Sequence, residues 1–260
     1  MRTLVNIGVN SLKRRNVFVM ADKVLARVRE RGQAGQRREA LHWCRGHAES
    51  LEAYVRALDP ALWAETEEAC RRLDAAAQEK LAHIEVELGG GGHYPLLYFL
   101  TRYLKATIVV ETGVAAGWSS QAVLLALRSN GSGGRLYSSD FPYVRYRGPE
   151  QLIGVVVDEA LKDRWTLHID GDRRNLPRIL EQVDHIDLFH YDSDKSSRGR
   201  EYAIRLVEPK LADRAVVIVD DIQDNVQFRD YVGAKGWPFK VFEFHGKYLG
   251  LTGPFLQERT

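Results

Sequence analysis

The chain has 260 residues, 45% hydrophobic and 28% charged, with a formal net charge of +2. That balance suits a globular protein with room for one large α/β domain and a helical appendage, and no apolar run approaches a membrane span. The net charge singles out no partner, and Cys44 and Cys70 have neither metal-ligand spacing nor a disulfide framework, so a reducing, cytoplasmic setting is expected.

Charge is uneven along the chain. Residues 1–45 hold eleven Lys and Arg against Asp22, Glu30 and Glu39, and the stretch that follows to about residue 90 is acidic. Two oppositely charged helices that attract each other would account for this; a basic start that touches an anionic membrane is the functional alternative. In MRTLVNIGVNSLKRR the basic residues follow the apolar stretch, the wrong order for a secretory signal. Apolar residues at three-to-four spacing predict helices over ADKVLARVRERG, over residues 36–58, and from Asp59-Pro60 to about residue 88. The run Gly89 to Gly92 then reads as a hinge with an unrestrained backbone. The expected division is a helical arm or lid over 1–92, which might instead be put as a homodimerisation arm, and a sheet domain over 93–260.

Beyond the helix YPLLYFLTRYLK the pattern changes to alternation. Short β-branched or apolar runs stand at 107–111, 135–140, 165–169, 186–192, 215–220, 239–245 and 247–253. Helical segments separate the first six, among them stretches near 149–162 and 175–183. This predicts a doubly wound, mostly parallel seven-stranded sheet covered on both faces. The last two runs are joined by little more than Gly246, so they form an antiparallel β-hairpin.

Chemistry-bearing residues fall at the ends of these strands. VVETGVAAGWSS puts Gly113 and Gly117 between the first strand and its helix, where backbone can approach a ligand and a helix N-terminus offers free N–H groups. The spacing is Glu-x-Gly-x-x-x-Gly, neither the dinucleotide fingerprint nor a phosphate-binding loop. The second strand ends on Asp140, where a carboxylate would hold a ribose diol or simply cap the turn. Glu111 is an unusual residue for a buried strand end, and HIDGDRRNLPRIL places Gly171 and Asp172 after the third strand.

With these motifs, residues 95–253 resemble class I S-adenosylmethionine-dependent methyltransferases. The resemblance implies that Glu111, Gly113, Ala115, Gly117, Ser119 and Ser120 wrap the methionine part of the cofactor. It implies further that Asp140 holds the ribose, that Gly171 and Asp172 lie near the adenine, and that Asp192 borders the same site.

The stretch HYDSDKSS places Asp192, Asp194 and Lys195 just past the fourth strand, and Asp220-Asp221 follow the fifth. Neighbouring strand ends would bring these carboxylates together, where they repel unless a hard cation with oxygen ligands, Mg²⁺ or Ca²⁺, is shared. The plainer reading has Asp192 and Asp194 capping the next helix with Lys195 as a surface counter-charge. The pattern resembles the divalent-metal-dependent O-methyltransferases of the catechol and caffeoyl-CoA type. That resemblance implies Asp192, Asp220 and Asp221 as metal ligands and Asp192 and Lys195 as catalytic residues, with Asp221 standing where that group has Asn. Sugar O-methyltransferases of macrolide pathways use similar acidic clusters. The implied function is O-methylation of a hydroxyl on a small metabolite, natural product or sugar, in a biosynthetic role. The alternatives are a metal-independent methyltransferase and a non-catalytic module that binds the cofactor for regulation. His190 reads as a sheet histidine, His93 and His245 as lesser candidates for substrate contact, and Trp118 as packing. No Asn-Pro-Pro-Tyr-like motif or aromatic-basic stripe points to nucleic acid.

Overall fold

The computed structural model describes residues 34–86, 88, 90–142, 146 and 148–257. Helix α1 (Ala34–His47) leads through a two-residue strand β1 (Ala48–Glu49) into α2 (Leu51–Leu58) and α3 (Pro60–Leu81). Helix α4 (Tyr94–Tyr103) precedes β2 (Ile108–Thr112), α5 (Trp118–Asn130), β3 (Arg135–Ser139) and β4 (Trp165–His168). The chain continues as α6 (Asp172–Leu180), β5 (Ile186–Tyr191), α7 (Ser197–Val207), β6 (Leu211–Val219) and α8 (Gln227–Lys235). It closes with the hairpin β7 (Phe239–Phe244) and β8 (Lys247–Thr252), then α9 (Pro254–Gln257).

The sheet order is β1-β7-β8-β6-β5-β2-β3-β4. Strands β2 to β6 run parallel, and β8 is antiparallel to both β6 and β7. The hairpin turn is His245-Gly246, both at positive φ (51° and 75°), the backbone that a two-residue turn needs to match strand twist. The sheet has eight strands among the described residues, one more than the sequence pattern predicts. The addition comes from the segment read as one helix over 36–58. There Ala48 and Glu49 pair with Val241 and Phe242, and Ser50 caps α2 by accepting a hydrogen bond from the N–H of Ala53 at 3.2 Å. A serine satisfies a helix start better than a helix interior, and the exposed edge of β7 gains a partner.

The helix expected near 149–162 is two 3₁₀ turns, Pro149–Leu152 and Glu159–Arg164. Between them the backbone is held by other strands' loops: Gly154 and Val156 donate to the carbonyls of Ala115 and Ala116 at 2.9 and 3.0 Å. Local periodicity yields to those contacts.

Period-two alternation sends Val109, Leu188 and Val216 to one face of the sheet and Val110, Phe189 and Val217 to the other. The first face is covered by α4, α5 and α9 together with Val55 and Trp63 of the N-terminal helices. The second is covered by α6, α7 and α8 with Cys44 of α1. Residues 34–81 are therefore built into the same cores as the sheet. Helix α3 is pinned further by hydrogen bonds from Tyr94 to Asp74 (2.7 Å), from Tyr98 to Glu65 (2.8 Å) and from Lys80 to Asp158 (2.6 Å). This differs from a separable arm or lid ending at residue 92. The basic segment up to residue 33, with its expected membrane contact, lies outside the described residues. No helix among the described residues is long and apolar enough to cross a membrane.

Candidate active site

The ends of β2, β3, β5 and β6 lie at one level. Glu111 is in register with Ser138 on one side and His190 on the other. Just beyond them, Asp140 donates its N–H to the His168 carbonyl, Asp192 to Thr112 and Asp220 to Tyr191, each at 2.9 Å. Strand β2 has β3 on one side and β5 on the other, with the chain order reversing there, the crevice where open α/β sheets bind ligands.

The glycine turn after β2 is built for close approach. Gly113 and Gly117 have φ of 84° and 99°, and Ala115 joins them at 51°. A Cβ on Gly113 would collide with the Asp192 carbonyl, and one on Gly117 would lie 2.8 Å from the Gly154 Cα. Thus the glycine turn and the acidic turn touch backbone to backbone. Asp140 braces the turn, accepting from the N–H groups of Val114 (3.1 Å) and Ala115 (2.9 Å). Burial pushes its carboxyl up to about 6 against the pull of those backbone donors.

Glu111 is buried and accepts hydroxyl hydrogen bonds from Ser119 (2.8 Å), Ser120 (2.6 Å) and Ser138 (2.8 Å). Three short donors answer the question its burial raises. Asp172 accepts from Ser139 at 2.6 Å and from Ser193, and the N–H of Gly171 donates to the Asp140 carbonyl at 3.1 Å. The residues expected around a cofactor therefore form one connected edge.

A cavity of about 350 Å³ opens beside that edge. Asp192, Asp220 and Asp221 line it with Trp118, Tyr94, Phe244, Tyr248, His93, His245 and Lys247, under a roof of Gly90 to Gly92. Gly113, Ala115, Asp140, Gly171 and Asp172 do not line it, so it lies next to the turn rather than within it. Asp221 is buried at φ 53° and is paired with Lys195, and Lys247 approaches it at 3.3 Å. Asp220 receives His190 Nε2 at 3.0 Å. Burial alone would lower the His190 imidazole, but the hydrogen bond and charge of Asp220 outweigh it and raise it. Asp192 is pushed up to about 7, first by burial and then by the charge of Asp220. Lys195 stands 3.9 Å from Asp192.

These carboxylates fit a hard cation by donor chemistry and by the repulsion between Asp192 and Asp220, with lysine ammonium groups standing in on Asp221. Their present partners hold them apart, however: among the described residues no group of three or more His, Cys, Asp or Glu is placed to hold a metal ion. The capping role belongs to neighbours, since Ser196 caps α7 through the N–H of Gly199 at 3.0 Å and Asp194 accepts from the N–H of Ser196 at 3.0 Å. The sequence pattern did not single out Lys247, whose only signal is its place after the hairpin turn. It also missed Ser138, which follows the β3 alternation toward Glu111, and Arg200. The last is wholly buried and donates to the carbonyls of Asp220 (3.0 Å) and Asp221 (2.8 Å).

Ribose hydroxyls donate to a carboxylate, so the state of Asp140 should govern cofactor affinity. Titration calorimetry with S-adenosylhomocysteine is expected to show affinity falling as pH drops through about 6, where Asp140 gains its proton. Asp140→Asn should bind weakly and lose this dependence; a wild-type affinity unchanged between pH 7.5 and 5 would remove Asp140 from the site.

Comparison with known proteins agrees with this geometry. Residues 110–222 match a family model described as a methyltransferase domain. No curated protein matches by sequence. Among solved structures, an O-methyltransferase from Bacillus cereus in complex with S-adenosylhomocysteine superposes with a TM-score of 0.55 at 16% identity, covering 69% of this chain and 89% of that one. The O-methyltransferase TomG from Streptomyces achromogenes, involved in tomaymycin synthesis and solved with S-adenosylmethionine, gives 0.54 at 20% identity, covering 69% and 86%. A Podospora anserina methyltransferase bound to S-adenosylhomocysteine gives 0.52 at 10% identity, covering 72% and 93%. The shared feature is the fold.

Proposed function

We propose, from the premise that residues 110–222 make a methyltransferase domain on a class I fold, that the protein transfers a methyl group from S-adenosylmethionine to a hydroxyl of a small metabolite, natural product or sugar. The observation that carries this reading is the backbone contact of Gly113 with Asp192, which sets a glycine cradle against a carboxylate-lined cavity. In this reading Gly113, Ala115, Gly117, Ser119 and Ser120 surround the methionine part. Asp140 takes the ribose hydroxyls, and Gly171 and Asp172 border the adenine. Glu111, saturated by three serines, keeps the turn in shape.

A sulfonium is already an activated leaving group. The protein's work is to align the acceptor oxygen with the methyl carbon and exclude water. Asp192 orients the hydroxyl and accepts its proton as the O–CH₃ bond forms and the S–CH₃ bond breaks, releasing S-adenosylhomocysteine. The Lys195 ammonium, tied to Asp221, stabilises the negative charge that develops on the oxygen. A divalent cation, Mg²⁺ or Ca²⁺, belongs to the finer form of this proposal: Asp192, Asp220 and Asp221 would hold it, and it would supply Lewis-acid polarisation of the hydroxyl. A cytoplasmic setting and a small-molecule partner fit the same reading.

The test is methyl transfer from labelled S-adenosylmethionine to a panel of hydroxylated acceptors, together with calorimetry using S-adenosylhomocysteine and NAD. Label in a methyl ether and selective binding of S-adenosylhomocysteine are expected. Binding of NAD alone would sink the proposal.

A further inference from the structure

We infer that His93 is the residue by which the cavity recognises its acceptor, meeting a second polar group on that molecule beside the hydroxyl that reacts. This rests on the methyl-transfer reading above and adds the chemistry of the acceptor to it.

His93 is 6% exposed and lines the cavity. Its ring stacks on Phe244 with centroids 4.0 Å apart and planes at 25°. It stands at the start of α4, yet its side chain makes no capping hydrogen bond. Its Nδ1 is buried with no hydrogen-bond partner. Buried polar atoms in folded proteins are nearly always paired, and an orphan beside a cavity points to a partner that arrives with the ligand. Burial pushes the imidazole down to about 4, against the opposing charge of Asp220, so the ring is neutral at physiological pH and carries one donor and one acceptor nitrogen.

The ring is also held in place. On one side Gly92 packs so closely on Asp220 that a Cβ there would collide with its carboxylate. On the other, Tyr94 is anchored to Asp74 at 2.7 Å, and Pro95 stiffens the first turn of the helix. A fixed neutral imidazole next to Asp220, facing apolar walls of Phe244, Tyr94 and Trp118, suits a compact acceptor with an apolar face and two polar groups. The volume of about 350 Å³ admits a molecule of one or two rings and excludes a polymer.

The test uses protein saturated with S-adenosylhomocysteine, in EDTA so that no cation contributes, and two probes that differ by one hydroxyl: cyclohexanol and trans-1,2-cyclohexanediol. The diol is expected to bind about tenfold more tightly, the scale of one hydrogen bond gained by a buried partner, and to shift the ¹⁵N resonances of the His93 imidazole. His93→Phe, which keeps the stacking on Phe244, should bind both probes alike and still bind S-adenosylhomocysteine as wild type does. Equal affinities in wild type, a diol preference that survives in His93→Phe, or no binding of either probe would each overturn the inference. Failure of wild type to bind S-adenosylhomocysteine would instead overturn the methyl-transfer reading.

Discussion

Asp192→Asn is expected to lower the rate of methyl transfer by about a hundredfold or more, the range for losing a proton acceptor at the reacting group, while S-adenosylhomocysteine affinity changes little. The reason is position. Asp192 lies past β5 against the glycine turn, with its N–H fixed on Thr112 at 2.9 Å and its carboxylate lining the cavity. The amide keeps the shape and removes the negative charge. Turnover measured with labelled cofactor, alongside calorimetry, separates the two effects. EDTA treatment gives the second arm. If the carboxylates act through a cation, chelation reproduces the loss, Mg²⁺ restores activity in wild type, and neither treatment changes Asp192→Asn. An Asp192→Asn enzyme with wild-type turnover would return this acidic turn to a structural role.

Deleting residues 1–88 is expected to abolish cooperative folding. Val55 and Trp63 belong to one core of the sheet and Cys44 to the other, and Ala48 and Glu49 cover the edge of β7. Losing a single large buried apolar side chain costs about 2–5 kcal/mol, and a whole domain is stable by only about 5–15 kcal/mol. The deletion removes several such side chains at once, together with the acceptors Asp74 and Glu65 that hold Tyr94 and Tyr98. Near-ultraviolet circular dichroism during a thermal melt should show no cooperative transition in the truncated protein. A sharp transition close to that of the full chain would restore the picture of a separable arm.

The sequence by itself determined what depends on neighbours in the chain. Alternating apolar runs and the glycine turns specified the parallel strands, the closing hairpin and the edge of the sheet that carries Gly113, Asp140, Asp192 and Asp220. That edge was legible because the carboxyl ends of parallel strands necessarily face one way, so residues just past them gather there whatever the packing. The tertiary structure decided which of the gathered groups pair. Glu111 has the look of a ligand contact in the sequence, and its three serines come from α5 and β3, which only the folded sheet brings together. The acidic residues read as a single cluster, yet Lys247 and His190 divide Asp221 from Asp220, and charges that are distant in sequence cannot be paired by spacing alone. The same limit applies to residues 34–81. Their helical periodicity was plain, but periodicity says only that one face is apolar; it was the open faces of the sheet that made those helices part of its core.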